Sequence, residues 1–229
     1  SVGDRAYDVH AKPDAGLWEF RRRASVHTYS AVMCWAACDR LANAAQRLGL
    51  GDRVLHWRKR AEEIRHTIEQ KAWNADQGRF AATFGGQEMD ASLLQMVDTR
   101  FLAADDPRFL ATLKQLEQDL RRGDVVLRYA EQDDFGLPET AFNFCTFWLI
   151  EALFLVGRRE EARELFEQML SRRTRAGLLS EDCDISNGTP WGNYPQTYSL
   201  AGLINCAVLL SNPWSSARSE NVSRSPGVE

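Results

Sequence analysis

No apolar run in this chain approaches the roughly 20 residues needed to span a bilayer. The polar start Ser1-Val2-Gly3-Asp4-Arg5 also lacks the pattern of a signal peptide. A cytoplasmic location away from membranes is therefore expected. An excess of positive charge is missing too: 28 Lys and Arg stand against 32 Asp and Glu, a formal net charge of −4. Nucleic acids and anionic membranes both call for clustered Lys and Arg, so neither is expected as a partner, whereas a neutral sugar suits this balance. Cysteine is sparse and odd in number, with Cys34, Cys38, Cys145, Cys183 and Cys206 lying mostly in apolar helical stretches. Reduced, buried thiols are expected rather than a disulfide framework. Cys34 and Cys38 are one helical turn apart, but no histidine joins them within that helix, and they read as core. The four histidines fall in no ligand pattern. Asp182, Asp184, Asn187 and Gly188 miss the spacing and the bidentate Glu of a calcium loop. Neither a metal nor a cofactor is expected.

Linkers rich in Pro, Gly or Ser are absent before the C-terminus, and hairpin-to-hairpin repeats are not found. Residues 1–212 read as one domain and 213–229 as a flexible tail, too poor in apolar residues to order itself. What the chain has in abundance is helical periodicity. Thr28 to Leu48 and Asp52 to about Trp73 predict an antiparallel helical hairpin, and Asp90 to Leu94 opens a third helix. Asp106-Pro107 starts a fourth, with Pro at an early helical position. After a loop from Asp124 to Pro138 come an apolar helix from Glu139 to Val156, a charged amphipathic one from Arg159 to Arg172, and a last apolar one from Thr197 to Leu210. Very little reads as strand beyond a short extended run at Arg79–Phe84. A helix rich in Phe and Trp must be covered nearly all round, whereas an amphipathic neighbour buries one face. The alternation predicts an inner and an outer layer, an all-α helical-hairpin toroid. A helical solenoid is the alternative.

Two acidic segments carry the chemistry: Gly16-Leu17-Trp18-Glu19-Phe20 and Gly177-Leu178-Leu179-Ser180-Glu181-Asp182. Inverting glycoside hydrolysis needs one protonated carboxyl to give a proton to the leaving oxygen, and one carboxylate to activate water. Trp18 beside Glu19 would supply an apolar wall favouring the protonated form, while Ser180 and a loop position would leave Glu181 hydrated and ionised. Chemistry and spacing alone still favour reading both as ordinary surface carboxylates.

The sequence resembles glycoside hydrolase family 15, the glucoamylases and the bacterial trehalases and glucoamylase-like proteins related to them. The resemblance rests on Gly16 to Glu19; on His27-Thr28-Tyr29-Ser30, Met33-Cys34-Trp35 and Asp39-Arg40; on Asp90 to Leu94; and on Arg128-Tyr129. It continues through Cys145 to Leu149, Gly177 to Glu181 and Gly192 to Ser199. It implies a six-hairpin (α/α)6 toroid and inverting, exo-acting hydrolysis of an α-glucoside or oligosaccharide, releasing β-glucose in the glucoamylase manner. A trehalase on the same scaffold is the first alternative, and a catalytically silent helical module that assembles with a partner is the second. It also implies Glu19 as general acid, Glu181 as general base, and Trp18, Arg128 and Tyr29 as substrate contacts. Arg128 would donate to sugar hydroxyls from its fixed fork.

One departure qualifies this. Family members carry a further stretch before the acid motif, yet here only about 18 residues precede Glu19, and about seven helices are read where a closed toroid needs twelve. The expectation is an incomplete catalytic domain, a fragment or a truncated product, whose missing N-terminal half or a second copy would cover exposed apolar faces. Inactivity of the chain alone is then an expected outcome.

Overall fold

The computed structural model describes residues 1–133 and 136–211. The tail expected at 213–229 lies outside the described residues. The chain packs as two compact units, one formed by Ser1–Arg121 with Leu127–Pro138, the other by Arg122–Val126 with the chain from Glu139 onward.

The first unit is built on α1 (Val2–Val9), α2 (Thr28–Arg47) and α3 (Gly51–Lys71). The expected hairpin is α2 and α3. Ala31, Val32, Trp35, Cys38, Ala42 and Ala45 recur at helical spacing on the buried face of α2, and Trp57, Ala61, Ile64 and Ile68 do so on α3. The Arg65 guanidinium lies over the rings of Trp35 and Phe101 at 4.7 and 4.5 Å and donates to the Phe101 carbonyl at 2.6 Å. Helix α1 is an addition to the helices read from sequence. A capping box between Ser1 and Asp4 opens it. It packs through Gly3, where a Cβ would lie 2.3 Å from Leu41 and 2.6 Å from Trp57. Tyr7 adds a polar contact, donating to Glu63 of α3 with the Arg60 guanidinium over its ring; the buried residue of α1 is a glycine, which shows no apolar stripe.

Strands β1 (Trp73–Asn74) and β2 (Arg79–Phe80) pair antiparallel across the expected turn. The segment at Asp90 is shorter than a full helix: a 3-10 turn, Ala91–Leu94, is followed by the single turn α4 (Gln95–Asp98). Helix α5 (Pro107–Leu120) starts as expected, with Asp106 accepting from the Arg108 N–H and Pro107 in the first turn. The chain then turns back through β3 (Arg121–Arg122) and β4 (Val125–Val126).

The second unit centres on α6 (Asn143–Leu155), α7 (Arg159–Ser171) and α8 (Thr197–Leu210). Cys145 through Leu153 of α6 are all buried, as an all-round apolar helix requires, and α6 packs against both α7 and α8. Helix α7 buries one face through Ala162, Leu165, Phe166 and Met169. Helix α8 is as apolar as α6 but leaves Tyr198, Ile204 and Val208 exposed. A small antiparallel sheet, in the order β5 (Thr140–Phe142), β6 (Asp182–Asp184), β7 (Pro190–Trp191), stands at the head of α6. All five cysteines are free thiols, four buried and Cys34 half-buried.

Candidate functional site

In the first unit the Glu19 loop is held from two sides. Its base is closed by the Asp14–Ser25 pair, whose main chains exchange bonds of 2.9 and 3.1 Å. Its tip is a tight turn in which Glu19 donates to the Gly16 carbonyl at 3.2 Å and Phe20 to that of Ala15 at 2.9 Å. Gly16 adopts φ +68° with the His27 ring against it, so a Cβ there would lie 2.8 Å from that ring. Phe20 stacks on the same imidazole at 5.9 Å and 18°, and Arg23 sits 3.9 Å from the Phe20 centroid. Glu19 itself has φ +55°, a conformation that non-glycine residues adopt only when their surroundings impose it.

Glu19 is exposed. The indole N–H of Trp18 beside it donates to Oδ2 of Asp90 at 2.7 Å. The other Asp90 oxygen accepts from the Ser92 N–H at 2.7 Å. Asp90 is buried, and burial pushes its carboxyl above the usual range, against the pull of those two donors. Arg128 lies in the same group. Its guanidinium is 5.9 Å from the rings of both Trp18 and Tyr129, within cation–π range. Its carbonyl accepts from the Ala91 N–H at 2.9 Å. The Arg128 Nε is buried with no hydrogen-bond partner among the described residues. Tyr129 donates to Asp133 at 2.5 Å, and burial together with that bond raises its hydroxyl far above the usual range. Tyr29 stands in the first turn of α2, half-buried, with its hydroxyl raised by burial.

In the second unit Glu181 immediately precedes β6 and is bound into the sheet by its backbone. Its carbonyl accepts from the Asn143 N–H at 3.0 Å, and its N–H donates to the Asn193 carbonyl at 2.9 Å. Ser180, just before it, is buried, and its carbonyl takes bonds from Asn143 Nδ2 at 2.9 Å and Ser199 Oγ at 2.7 Å. The carboxylate is half-buried and met by three donors. Oε2 accepts from both the backbone N–H and Nδ2 of Asn193, each at 3.0 Å, while Oε1 accepts from Gln196 Nε2 at 3.3 Å. Exposed aromatic side chains surround the loop: Trp191, Tyr194 and Tyr198, the last stacked on Phe144 at 5.8 Å. Such faces suit the apolar face of a sugar ring. Among the described residues no three His, Cys, Asp or Glu side chains stand close enough to hold a metal ion.

The sequence-derived residues thus fall in two groups: Trp18, Glu19, Tyr29 and Arg128 in one unit, where Trp18 joins Arg128 to Asp90, and Glu181 in the other. Asp90, Asn193 and Gln196 received no role from the sequence, although all three lie inside the motifs that carried the resemblance. The Glycosyl hydrolases family 15 model matches residues 7–208. The chain belongs to glycosyl hydrolases family 15. It is 37% identical over 196 residues to a trehalase of Thermoplasma volcanium, covering 85% of this chain and 32% of that protein. It is 38% identical over 200 residues to a trehalase of Mycobacterium tuberculosis, covering 86% and 29%. The chain therefore spans about a third of the length of these relatives. Among solved structures it resembles a glucoamylase from Saccharomycopsis fibuligera with a TM-score of 0.74 at 13% identity, over 93% of this chain and 60% of that one. This confirms the helical-hairpin fold class of the family 15 toroids. No helix among the described residues is long and apolar enough to cross a membrane.

Proposed function

We propose that this chain carries the catalytic carboxylates of an inverting α-glucoside hydrolase whose substrate is trehalose. The observation that carries the substrate is its likeness to proteins named trehalase at 37–38% identity, against 13% for the glucoamylase. Glu19 is the general acid: it gives its proton to the glycosidic oxygen as the bond from that oxygen to the anomeric carbon breaks. Glu181 is the general base: it takes a proton from the water whose oxygen attacks that carbon from the opposite face. Arg128, its guanidinium braced by two rings, donates to sugar hydroxyls. Trp18 forms the wall beside it and Tyr29 a neighbouring contact.

Inversion at one anomeric carbon of an α,α-linked disaccharide yields one β-glucose, while the other glucose leaves with its α configuration intact. Proton NMR during the first minutes of hydrolysis is therefore expected to show equal α and β anomers from trehalose and little product from maltoheptaose. Glu19→Gln and Glu181→Gln should each lower the rate about 10²- to 10⁴-fold, the usual contribution of a positioned acid or base. Faster release from maltoheptaose would favour the glucoamylase reading. Two α-glucoses would overturn inversion, and no glucose from either sugar would count against activity in this chain.

A further inference from the structure

Resting on that reading, we infer that Asn193 is a positioning residue for the base: it ties Glu181 Oε2 with two hydrogen bonds and leaves Oε1 to take the proton from water. A carboxylate oxygen offers about two lone-pair directions. On Oε2 both are engaged, by the Asn193 backbone N–H and by its Nδ2, each at 3.0 Å. Bonds to an ionised acceptor are the stronger kind, and two donors from one residue fix the plane of the carboxylate as well as its place. Oε1 has a single, longer bond of 3.3 Å from Gln196, so a lone pair remains on that oxygen. The flank of Oε2 is also closed by Gly192. A Cβ there would lie 2.6 Å from Oε2, and the glycine holds φ +75°, a backbone that L side chains avoid. Gly192 thus lets the main chain approach closely enough for the next amide to reach Oε2. The Glu181 N–H closes the ring by donating to the Asn193 carbonyl at 2.9 Å, so acid side chain and amide side chain are held in one frame.

In the reaction this leaves one path. The O–H bond of the attacking water breaks toward Oε1, its oxygen forms the new bond to the anomeric carbon, and the pair of the broken glycosidic bond goes to the leaving oxygen with the Glu19 proton. Rotation of the carboxylate would present Oε2, already occupied, and misplacement of a reacting group by about 1 Å costs on the order of a hundredfold.

The test has an exchange arm and a kinetic arm on the whole chain. In the exchange arm, hydrogen exchange of the Asn193 amide is followed by NMR in wild type and Glu181→Ala, with the Asn143 amide as a fold control because its acceptor is the retained Glu181 carbonyl. The Asn193 amide lies at an exposed residue, so at least tenfold faster exchange in the variant, with Asn143 unchanged, is expected. Equal rates would overturn the clamp. In the kinetic arm, Asn193→Ala should lower kcat on trehalose about tenfold or more with KM within twofold. Asn193→Asp keeps the shape but sets an anion against Oε2, and should be slower than the alanine variant. Unchanged kcat in both variants, or an aspartate variant as fast as wild type, would overturn the role. If wild type releases no glucose from either sugar, activity of this chain by itself fails, and the exchange arm still decides the contact.

Discussion

Glu19 is one of two non-glycine residues with a left-handed backbone among the described residues, the other being Arg100 at φ +64°. At φ +55° it occupies a region that glycine enters freely and other residues enter at a cost of about 1 kcal/mol or more. With an exposed side chain, nothing in its burial explains why glutamate stands there. Denaturant titration should show Glu19→Gly more stable than Glu19→Ala by about 1 kcal/mol, with both inactive; equal stabilities would mean that the turn is not constrained. The role proposed for this residue comes from a contiguous motif in the sequence, as do those proposed for Glu181, Trp18 and Arg128. Asn193 was not legible as a partner of Glu181: its bonds bring together residues twelve positions apart, and only the turn at Gly192 makes that approach. The hydrogen bond of Trp18 was not legible for a related reason. The buried acceptor Asp90, 72 positions away, claims the indole N–H.

Among elements, the long helices were legible because each buries a stripe at helical spacing. Helix α1 was not, since the residue it buries is Gly3 and its other contacts to α3 are polar. The strands at the head of α6 were not, since two or three residues are too short for alternation to show. The best-signalled boundary was the start of α5, and it also carries a pH dependence. The Arg108 guanidinium and the first-turn amides hold the Asp106 carboxyl below the usual carboxylate range. A lowered folded value means that the ionised cap stabilises the helix above about pH 4, the unfolded carboxyl's range, and that this contribution is lost as pH falls through the folded value. Asp106→Ala should therefore cost about 1 kcal/mol at pH 7. In urea titrations the gap from wild type should narrow steadily below about pH 4; a gap independent of pH would assign it to something other than the charged cap.

At the scale of the whole molecule, the five thiols report packing in both units. Burial pushes the Cys183 thiol up to about 11 and raises Cys34 and Cys38 as well. The thiolate is the reactive form, and at pH 8 only about one Cys183 in a thousand would be ionised. A disulfide reagent should consequently titrate all five groups at once in guanidinium but react with the folded chain many times more slowly. Rapid native reaction of more than Cys34, the one half-buried thiol, would contradict the packing described. The arrangement of the two carboxylate loops also has a consequence in time. Everything that braces Glu19, from His27 through Asp90 to Tyr129, has been synthesised before Glu181 leaves the peptidyl-transferase centre, whereas Glu181 waits for Asn193 and Gln196. At about 5–20 residues per second, the nascent chain on a ribosome can assemble the support of Glu19, the proposed proton donor, seconds before Glu181, the proposed water activator, has a scaffold.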